Sequence, residues 1–357
     1  MQSQRVAALD GFRAIAILMV VGYHYFSRWT ELYPYGAALE RPFALGYLGV
    51  WLFFIISGFV IALTLESCRS FGDFALRRFA RLWPPMLVGS LTTFAVLALL
   101  APPLLQQAFH FSAANFLPSL TFIDPGTLEK VLHAKTASMD GAYWSLYVEV
   151  RFYFWAALLF FAFRRRFVLA FLVLVNAVAL ADSITHHLVA TLFAPQYMPI
   201  FGIGLGFYYL HLDRRNRLAA LLVVNASVLS LASLELAEWP AFAAFLALFT
   251  VFIGRPAWLA PLTWKPLTAI GQASYSLYLL HQYAGVTLIV WLASALGLEG
   301  RAALPVAFAV AAGMVGASLL LYRFWEMPAR NLVRQAVSLR WRRPKVDVAG
   351  SRPTQAL

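Results

Sequence analysis

Two ionisable residues, Arg13 and His24, lie within the first apolar segment, LDGFRAIAILMVVGYHYF. If this segment is a helix, their separation of eleven residues brings the two side chains to within about 20° of each other around the helix axis, on one face. The same helix places His24 roughly 16 Å along the axis from Arg13. In hydrocarbon, ionisable side chains cost roughly 2.5 kcal/mol or more unless they are paired or hydrated. The pair therefore predicts a polar cavity between helices. The structural alternative is an Arg13 that reaches the membrane surface and a His24 bonded to a backbone carbonyl.

A second pair of basic residues, Arg78 and Arg81, occurs in the stretch RRFARLWPP. A spacing of three residues projects both guanidinium groups from one side of a helical turn. Paired guanidinium groups suit phosphate oxygens, although such a pair also serves as a cytosolic anchor of a membrane span. Pro84 and Pro85 are typical of the first turn of a helix and predict that the next span begins there.

Polar residues also interrupt two other apolar segments. FFIISGF carries Ser57, which favours either close helix packing or a place in a reaction chamber. GAYWSLYVEVRF carries Glu149 and Arg151, which point about 200° apart on a helix and cannot pair with each other. Each of these two charges therefore needs a partner on another segment, in a structural ion pair or in catalysis.

A polar stripe marks the segment IGQASYSLYLLHQ. Its members, Ser274, Tyr278 and His281, fall within about 60° on one helix face. A stripe of this kind on an apolar helix normally faces the interior of a helix bundle. We therefore expect these three side chains to face the polar cavity.

The composition indicates an all-α, polytopic membrane helix bundle. The chain is 61% hydrophobic and only 12% charged, well below the quarter that is charged in soluble domains. About ten apolar runs are long enough to span a bilayer, and we expect the first to remain uncleaved because it is charged. They lie near residues 9–27, 46–66, 83–101, 144–163, 167–182, 188–210, 218–234, 239–254, 270–295 and 303–322.

The distribution of charge predicts the orientation. Of 28 basic residues, 21 fall in segments that are cytosolic if the N-terminus is inside, five fall outside, and Arg13 and Arg151 lie within spans. This asymmetry places both termini in the cytosol. The net charge of +12 is then explained by this topology and by contact with membrane lipid headgroups. It does not indicate a nucleic-acid partner.

The remaining features set the domain limits. We expect one integral membrane domain over residues 1–335, with residues 102–143 forming an outward cap or re-entrant loop. A basic tail over residues 336–357 is expected to be a disordered cytosolic segment.

The single cysteine, Cys68, excludes an intramolecular disulfide and a cysteine-based metal cluster, and we predict no metal site.

Taken together and in order, these motifs resemble acyltransferase family 3, integral membrane proteins that acylate sugars, polysaccharides and some macrolides. The resemblance covers residues 9–330, and many members carry an extra C-terminal esterase-like domain, which we expect this chain to lack. The residues that carry it are Arg13, His24, FFIISGF, Arg78, Arg81, Pro84, WSLYVE, Gly271, Ser274, Tyr275, Tyr278, His281, Glu326 and Pro328.

The resemblance implies a donor and an acceptor. The donor is a cytosolic acyl-CoA, acetyl-CoA foremost, which acts as a co-substrate, and no permanently bound cofactor is implied. The acceptor is a hydroxyl of a carbohydrate, polysaccharide or glycoconjugate at or across the cytoplasmic (inner) membrane. The phosphates of CoA would lie near Arg13, Arg78 and Arg81.

In this scheme His24 is the general base, because a histidine kept neutral by desolvation accepts a hydroxyl proton. Glu149 is predicted to orient His24 from another span, since Asp10 is about 21 Å away along the same helix. The chamber would be lined by Asp10, Ser57, Ser274, Tyr278 and His281. The oxyanion donor stays open among Ser57, Tyr278 and His281.

Two other function classes fit the sequence less well. A transporter or flippase of a lipid-linked sugar also needs a polar path through the membrane, but it predicts inverted repeats and discontinuous helices. Neither an inverted repeat nor a discontinuous helix is evident in the sequence. A non-catalytic assembly or sensor protein would tolerate loss of the His24 ring.

Overall fold

The computed structural model describes residues 2–332, and this part of the chain is helical with no strand. The predicted all-α bundle is confirmed. The predicted tail over residues 336–357 lies outside the described residues. The principal helices are α1 (Gln2–Phe26), α2 (Gly49–Ser67), α3 (Phe71–Leu100), α4 (Trp144–Phe163), α5 (Phe167–Ile184), α6 (Met198–Leu212), α7 (Arg217–Leu231), α8 (Trp239–Gly254), α9 (Ser274–Leu280), α10 (Tyr283–Ala295) and α11 (Leu304–Leu321). Shorter helices are Glu40–Phe43, Pro103–Ala108, Phe116–Thr121, Pro125–Leu132, His186–Phe193 and Lys265–Gln272.

The apolar helices make this an integral membrane protein. Within the described residues, seven helices are long and apolar enough to cross a membrane, or eight if the bent pair α9 and α10 is one span. This number is lower than the ten predicted spans for two physical reasons. Helices α4 and α5 count together as Gly141–Ile184, although the backbone between them turns at Arg164, where φ is +26°. Helix α7 has only 15 residues, about 22 Å of helix, which is shorter than the hydrocarbon core.

Glycines bring helices α2 and α6 into close contact. A Cβ atom on Gly58 would lie 2.0 Å from the carbonyl oxygen of Phe201, and one on Gly204 would lie 1.9 Å from that of Ile55. Neither position has room for a side chain. Small residues allow such backbone contact between membrane helices, so the packing interpretation of the FFIISGF motif holds for its glycine.

Helix α3 continues through Pro84 and Pro85, so the predicted helix start at these prolines is wrong. A proline inside a helix removes a backbone donor and normally disrupts the helix. Side chains from distant segments contact the helix backbone at this point: Tyr275 Oη donates to Leu82 O at 2.9 Å, and Trp325 Nε1 donates to Pro84 O at 2.9 Å. The arginine pair before the prolines therefore projects from a 30-residue helix and not from a loop.

The span predicted over residues 270–295 is broken, and its two halves, α9 and α10, are bent by 59°. At Gln282 the backbone leaves the helical region, with φ −77° and ψ −81°. Asp140, which is fully buried, satisfies the broken end, because its Oδ2 accepts a hydrogen bond from Tyr283 N at 2.7 Å. Tyr143 Oη also donates to Leu279 O at 2.9 Å. The segment before α4 therefore holds the bend in place.

Residues 102–143 form three short α-helices and two single-turn 3-10 helices, in the place of the predicted cap or re-entrant loop. Asp124 caps the helix Pro125–Leu132 by accepting a hydrogen bond from Thr127 N at 3.0 Å. The same carboxylate forms an ion pair with Arg151 of α4. Arg151 thus has its partner on another segment, as its helix position predicts.

Candidate active site

Two histidines from different helices meet near one end of the bundle. His24 lies in the last turn of α1, and His281 follows the last residue of α9. His24 Nδ1 is 3.2 Å from His281 Nε2 and 2.9 Å from the carbonyl oxygen of Val20. His281 Nδ1 is 2.8 Å from the carbonyl oxygen of Tyr278. His281 is fully buried, whereas His24 is partly exposed.

These contacts determine which nitrogen carries the proton in each neutral ring. A carbonyl oxygen accepts hydrogen bonds only, so Nδ1 of each histidine is the donor. His281 Nε2 is then an acceptor, and it shares the proton of His24 Nδ1 with the Val20 carbonyl. The remaining nitrogen, His24 Nε2, is left with a lone pair and can take a proton.

The His24 ring lines a cavity of about 520 Å³, which we refer to as the His24 cavity. Its other walls are aromatic and polar. They include Trp29, Trp51, Trp144, Tyr197, Glu238 and Gln282. Gln282 Oε1 is buried and has no hydrogen-bond partner among the described residues, so this cavity holds an unused acceptor. Aromatic walls with a few polar groups are typical of small-molecule sites.

A second cavity, the arginine cavity, is lined by Arg13, Arg78, Arg81 and Glu149. Three positive charges against one negative charge favour an anionic ligand. The cavity is narrow, about 80 Å³, below the roughly 300 Å³ at which ligand pockets begin. A ligand of the size of CoA would require these side chains to move apart.

Arg13 and Arg78 are held differently. Arg13 pairs with Asp10 at 2.7 Å, and Gln272 Nε2 donates to the same carboxylate at 3.2 Å. Arg78 Nη2 donates to Thr64 Oγ1 at 3.3 Å, but its Nε is buried with no hydrogen-bond partner among the described residues. A buried guanidinium nitrogen without a partner is costly unless a ligand pairs with it.

Glu149 occupies the arginine cavity, away from the predicted contact with His24. Its Oε1 accepts hydrogen bonds from Ser57 Oγ at 2.5 Å and from Tyr153 Oη at 2.6 Å. Within the described residues, no hydrogen bond or ion pair joins it to His24. The side chain that hydrogen-bonds to the His24 ring is His281, which the sequence analysis placed among the chamber residues and the candidate oxyanion donors. His281 lines neither of these two cavities, so its predicted place in the chamber wall is wrong.

The two cavities meet at Tyr278 and Val50, which line both. Tyr278 Oη donates to Ala142 O at 2.7 Å and is 2.7 Å from Ser145 Oγ. A molecule that reached from the arginines to the histidine would have to pass this tyrosine. The described residues thus line two adjoining cavities, with Tyr278 and Val50 in the wall between them.

The remaining predicted chamber residues divide between these positions. Ser57, Ser274 and Tyr278 line the arginine cavity, whereas Asp10 lies behind its wall as the partner of Arg13. Sequence reasoning missed Gln282 and Tyr153. Gln282 directly follows His281 in an apolar segment, which is a signal that could have identified it.

The order of these motifs along the chain matches a known family. A family model described as an acyltransferase domain matches residues 6–323. The chain belongs to acyltransferase family 3. The resemblance seen in the sequence is therefore confirmed.

Individual relatives match this chain at low identity and over only part of its length. The acyltransferase MdmB of Streptomyces mycarofaciens is 30% identical over 150 residues, 42% of this chain and 38% of the relative. The O-acetyltransferase OatA of Staphylococcus aureus is 25% identical over 327 residues, 76% of this chain and 49% of the relative. An O-acetyl transferase of Shigella phage Sf6 is 25% identical over 141 residues, 39% of this chain and 41% of the relative. The match thus spans less than half the length of each relative. No solved structure matches the chain significantly.

Proposed function

We propose that this protein is a membrane O-acyltransferase. It moves an acyl group, acetyl foremost, from acyl-CoA to a hydroxyl of a carbohydrate or glycoconjugate. The family supports acyl transfer, and the names of the OatA and phage relatives support acetyl as the group that is moved. His24 is the general base of the reaction.

The observation that carries this proposal is the state of the His24 ring. Both available acceptors, the Val20 carbonyl and His281 Nε2, face Nδ1 of His24, which leaves Nε2 as the proton acceptor. The same two acceptors stabilise the ring after it has taken a proton, because Nδ1 stays a donor. A general base oriented by a second group is the arrangement that nucleophile activation requires.

In the proposed reaction, each bond that forms is matched by one that breaks, and the proton is accounted for. The acceptor hydroxyl oxygen forms a bond to the thioester carbonyl carbon, and the hydroxyl proton moves to Nε2 of His24. The carbon–sulfur bond breaks, and the CoA thiolate leaves and takes the proton from His24. The histidine returns to its neutral state, and no residue is consumed.

The arginine cavity suits the donor. Its three guanidinium groups, and in particular the unpartnered Nε of Arg78, match the phosphates of CoA. The axial distance between Arg13 and His24 on a straight α1, roughly 16 Å, is comparable to the length of a pantetheine arm. The phosphates would therefore bind near the arginines while the thioester passes Tyr278 to reach the histidine.

The acceptor and the location complete the proposal. The aromatic walls and the free Oε1 of Gln282 suit a sugar, whose hydroxyls donate and whose ring carbons are apolar. We place the protein in the cytoplasmic (inner) membrane, with the arginines facing the cytosol, because the basic residues predict that orientation.

The test is to incubate membranes with acetyl-CoA labelled in the acetyl group. Label should appear in the carbohydrate fraction of membranes that contain the protein and be absent without it. Alkaline treatment should release the label as acetate, since an O-acetyl ester is base-labile. The same membranes with no label in any carbohydrate would contradict the proposal.

A further inference from the structure

A third cavity adjoins the His24 cavity. We refer to it as the Asp182 cavity, and it shares three lining residues with its neighbour: Trp144, Gln196 and Tyr197. Its volume is about 670 Å³, against about 520 Å³ for the His24 cavity. Each volume alone falls within the roughly 300–1,000 Å³ of a pocket for one small ligand. The two cavities together therefore have room for more than one ligand unit.

The walls of the Asp182 cavity contain three charged side chains, those of Asp124, Arg151 and Asp182. Asp124 and Arg151 compensate each other as an ion pair in this wall. Asp182 is half-buried and makes no hydrogen bond or ion pair with any of the described residues. A carboxylate with both oxygens unoccupied is a strong acceptor for hydroxyl groups.

The two cavities join at an aromatic pair. The rings of Trp144 and Tyr197 lie 5.1 Å apart between centroids and are inclined by 42°. Trp144 keeps 39% of its surface exposed, although it begins a membrane helix. An exposed aromatic face gives an apolar surface for the carbon-bound hydrogens of a sugar ring, while the hydroxyls of that sugar bond to groups beside it. Gln196 is such a group, because it is exposed at the same junction.

From this arrangement we infer a second carbohydrate subsite. One sugar unit of the acceptor binds beside His24, and the next linked unit crosses Trp144 and Tyr197 into the Asp182 cavity. The preferred acceptor is then a chain of at least two sugar units and not a single sugar or a simple alcohol. This inference rests on the proposed acyltransferase function.

The experiment uses the carbohydrate that becomes labelled in the membrane assay. That carbohydrate is de-acetylated and cleaved to fragments of one, two and three units, and kcat/KM is measured for each with labelled acetyl-CoA. For the unmodified protein, kcat/KM should rise about tenfold or more from one unit to three, the factor that one hydrogen bond to a charged group supplies. In the double variant Asp182→Ala, Gln196→Ala this preference should be lost, so that kcat/KM is nearly the same for fragments of three units and of one unit. Glu299→Gln, an exposed carboxylate outside all three cavities, is the matched control and should keep the ratio of the unmodified protein.

The outcomes separate the two proposals. Labelled carbohydrate with equal kcat/KM for all fragment lengths would overturn the second subsite and leave the acyltransferase proposal intact. A length preference that survives in the double variant would overturn the Asp182 cavity as its location. If no carbohydrate becomes labelled, the acyltransferase proposal fails, and the subsite fails with it.

Discussion

His24 and His281 are 257 residues apart in the chain, yet Nδ1 of one lies 3.2 Å from Nε2 of the other. Their ring centroids are 4.9 Å apart, and the rings are inclined by 73°. The contact joins α1 to the chain immediately before the bend at Gln282. Because Asp140 and Tyr143 hold this bend, the position of the His24 ring depends on the segment that precedes α4.

The first prediction concerns His281 as a positioning residue. Replacing it with Leu removes one of the two acceptors for the proton on His24 Nδ1, so kcat should fall by about tenfold to a hundredfold, the value of a hydrogen bond to a charged group. The KM values for donor and acceptor should change little, since His281 lines neither cavity directly. The measurement is steady-state transfer from labelled acetyl-CoA per inserted molecule.

The matched variant is His281→Gln, whose side-chain oxygen can accept the proton of His24 Nδ1. It should recover part of the kcat lost in the Leu variant. Equal kcat in the Gln and Leu variants, or a change confined to protein abundance, would show that His281 acts only in packing.

The second prediction concerns the arginine cavity. Replacing Arg78 and Arg81 together with Gln removes two of the three positive charges of this cavity, so the KM for acyl-CoA should rise by tenfold or more. The effect should fall mainly on KM, because these groups hold the donor in the ground and transition states alike. Lys at either position should rescue only partly, since it lacks the planar fork of Arg.

A neighbouring arginine provides the control. Arg77 lies on the same helix but pairs with Asp73 at 2.8 Å and does not line the cavity. Arg77→Gln should leave the donor KM unchanged. An unaltered donor KM in the double variant would assign Arg78 and Arg81 to topology alone.

Orientation in the membrane is the subject of the third prediction. The distribution of basic residues predicts that both termini and the arginine cavity lie on the cytosolic side. A reporter that is active only outside the cytosol should be silent after Arg166, Arg217 or Leu357 and active within residues 125–135. Activity after Leu357 would rule out an even number of spans.

The sequence predicted the helical bundle well because apolar runs of bilayer length leave few alternatives. It also predicted correctly that Arg151 needs a partner on another segment and that Arg78 and Arg81 project from one side of a helix, where both line the arginine cavity. These properties depend on one helix at a time. Periodicity and solvation cost are sufficient to derive them.

The missed features depend on contacts between distant helices. No proline or glycine at Gln282 marks the bend in the sequence. The hydrogen bonds that hold the bend come from Asp140 and Tyr143, which lie elsewhere in the chain. Helix α3 also continues through Pro84 and Pro85, where Tyr275 and Trp325 contact its backbone from far along the chain. Likewise, nothing in the spacing of Glu149 indicates that it meets Ser57 and not His24.

The last prediction concerns His24 itself. His24→Gln keeps a polar side chain of similar size, but it has no ring nitrogen to take a proton. If His24 is the general base, turnover should fall by a factor on the order of 10² or more, the usual scale of acid–base catalysis. Membrane insertion and acyl-CoA binding should persist, because the arginine cavity does not include His24. His133→Gln, at an exposed loop histidine, controls for the substitution and should keep full turnover. A structural histidine predicts the reverse pattern, with lower abundance and nearly normal turnover per inserted molecule, and that result would remove the mechanism proposed for this site.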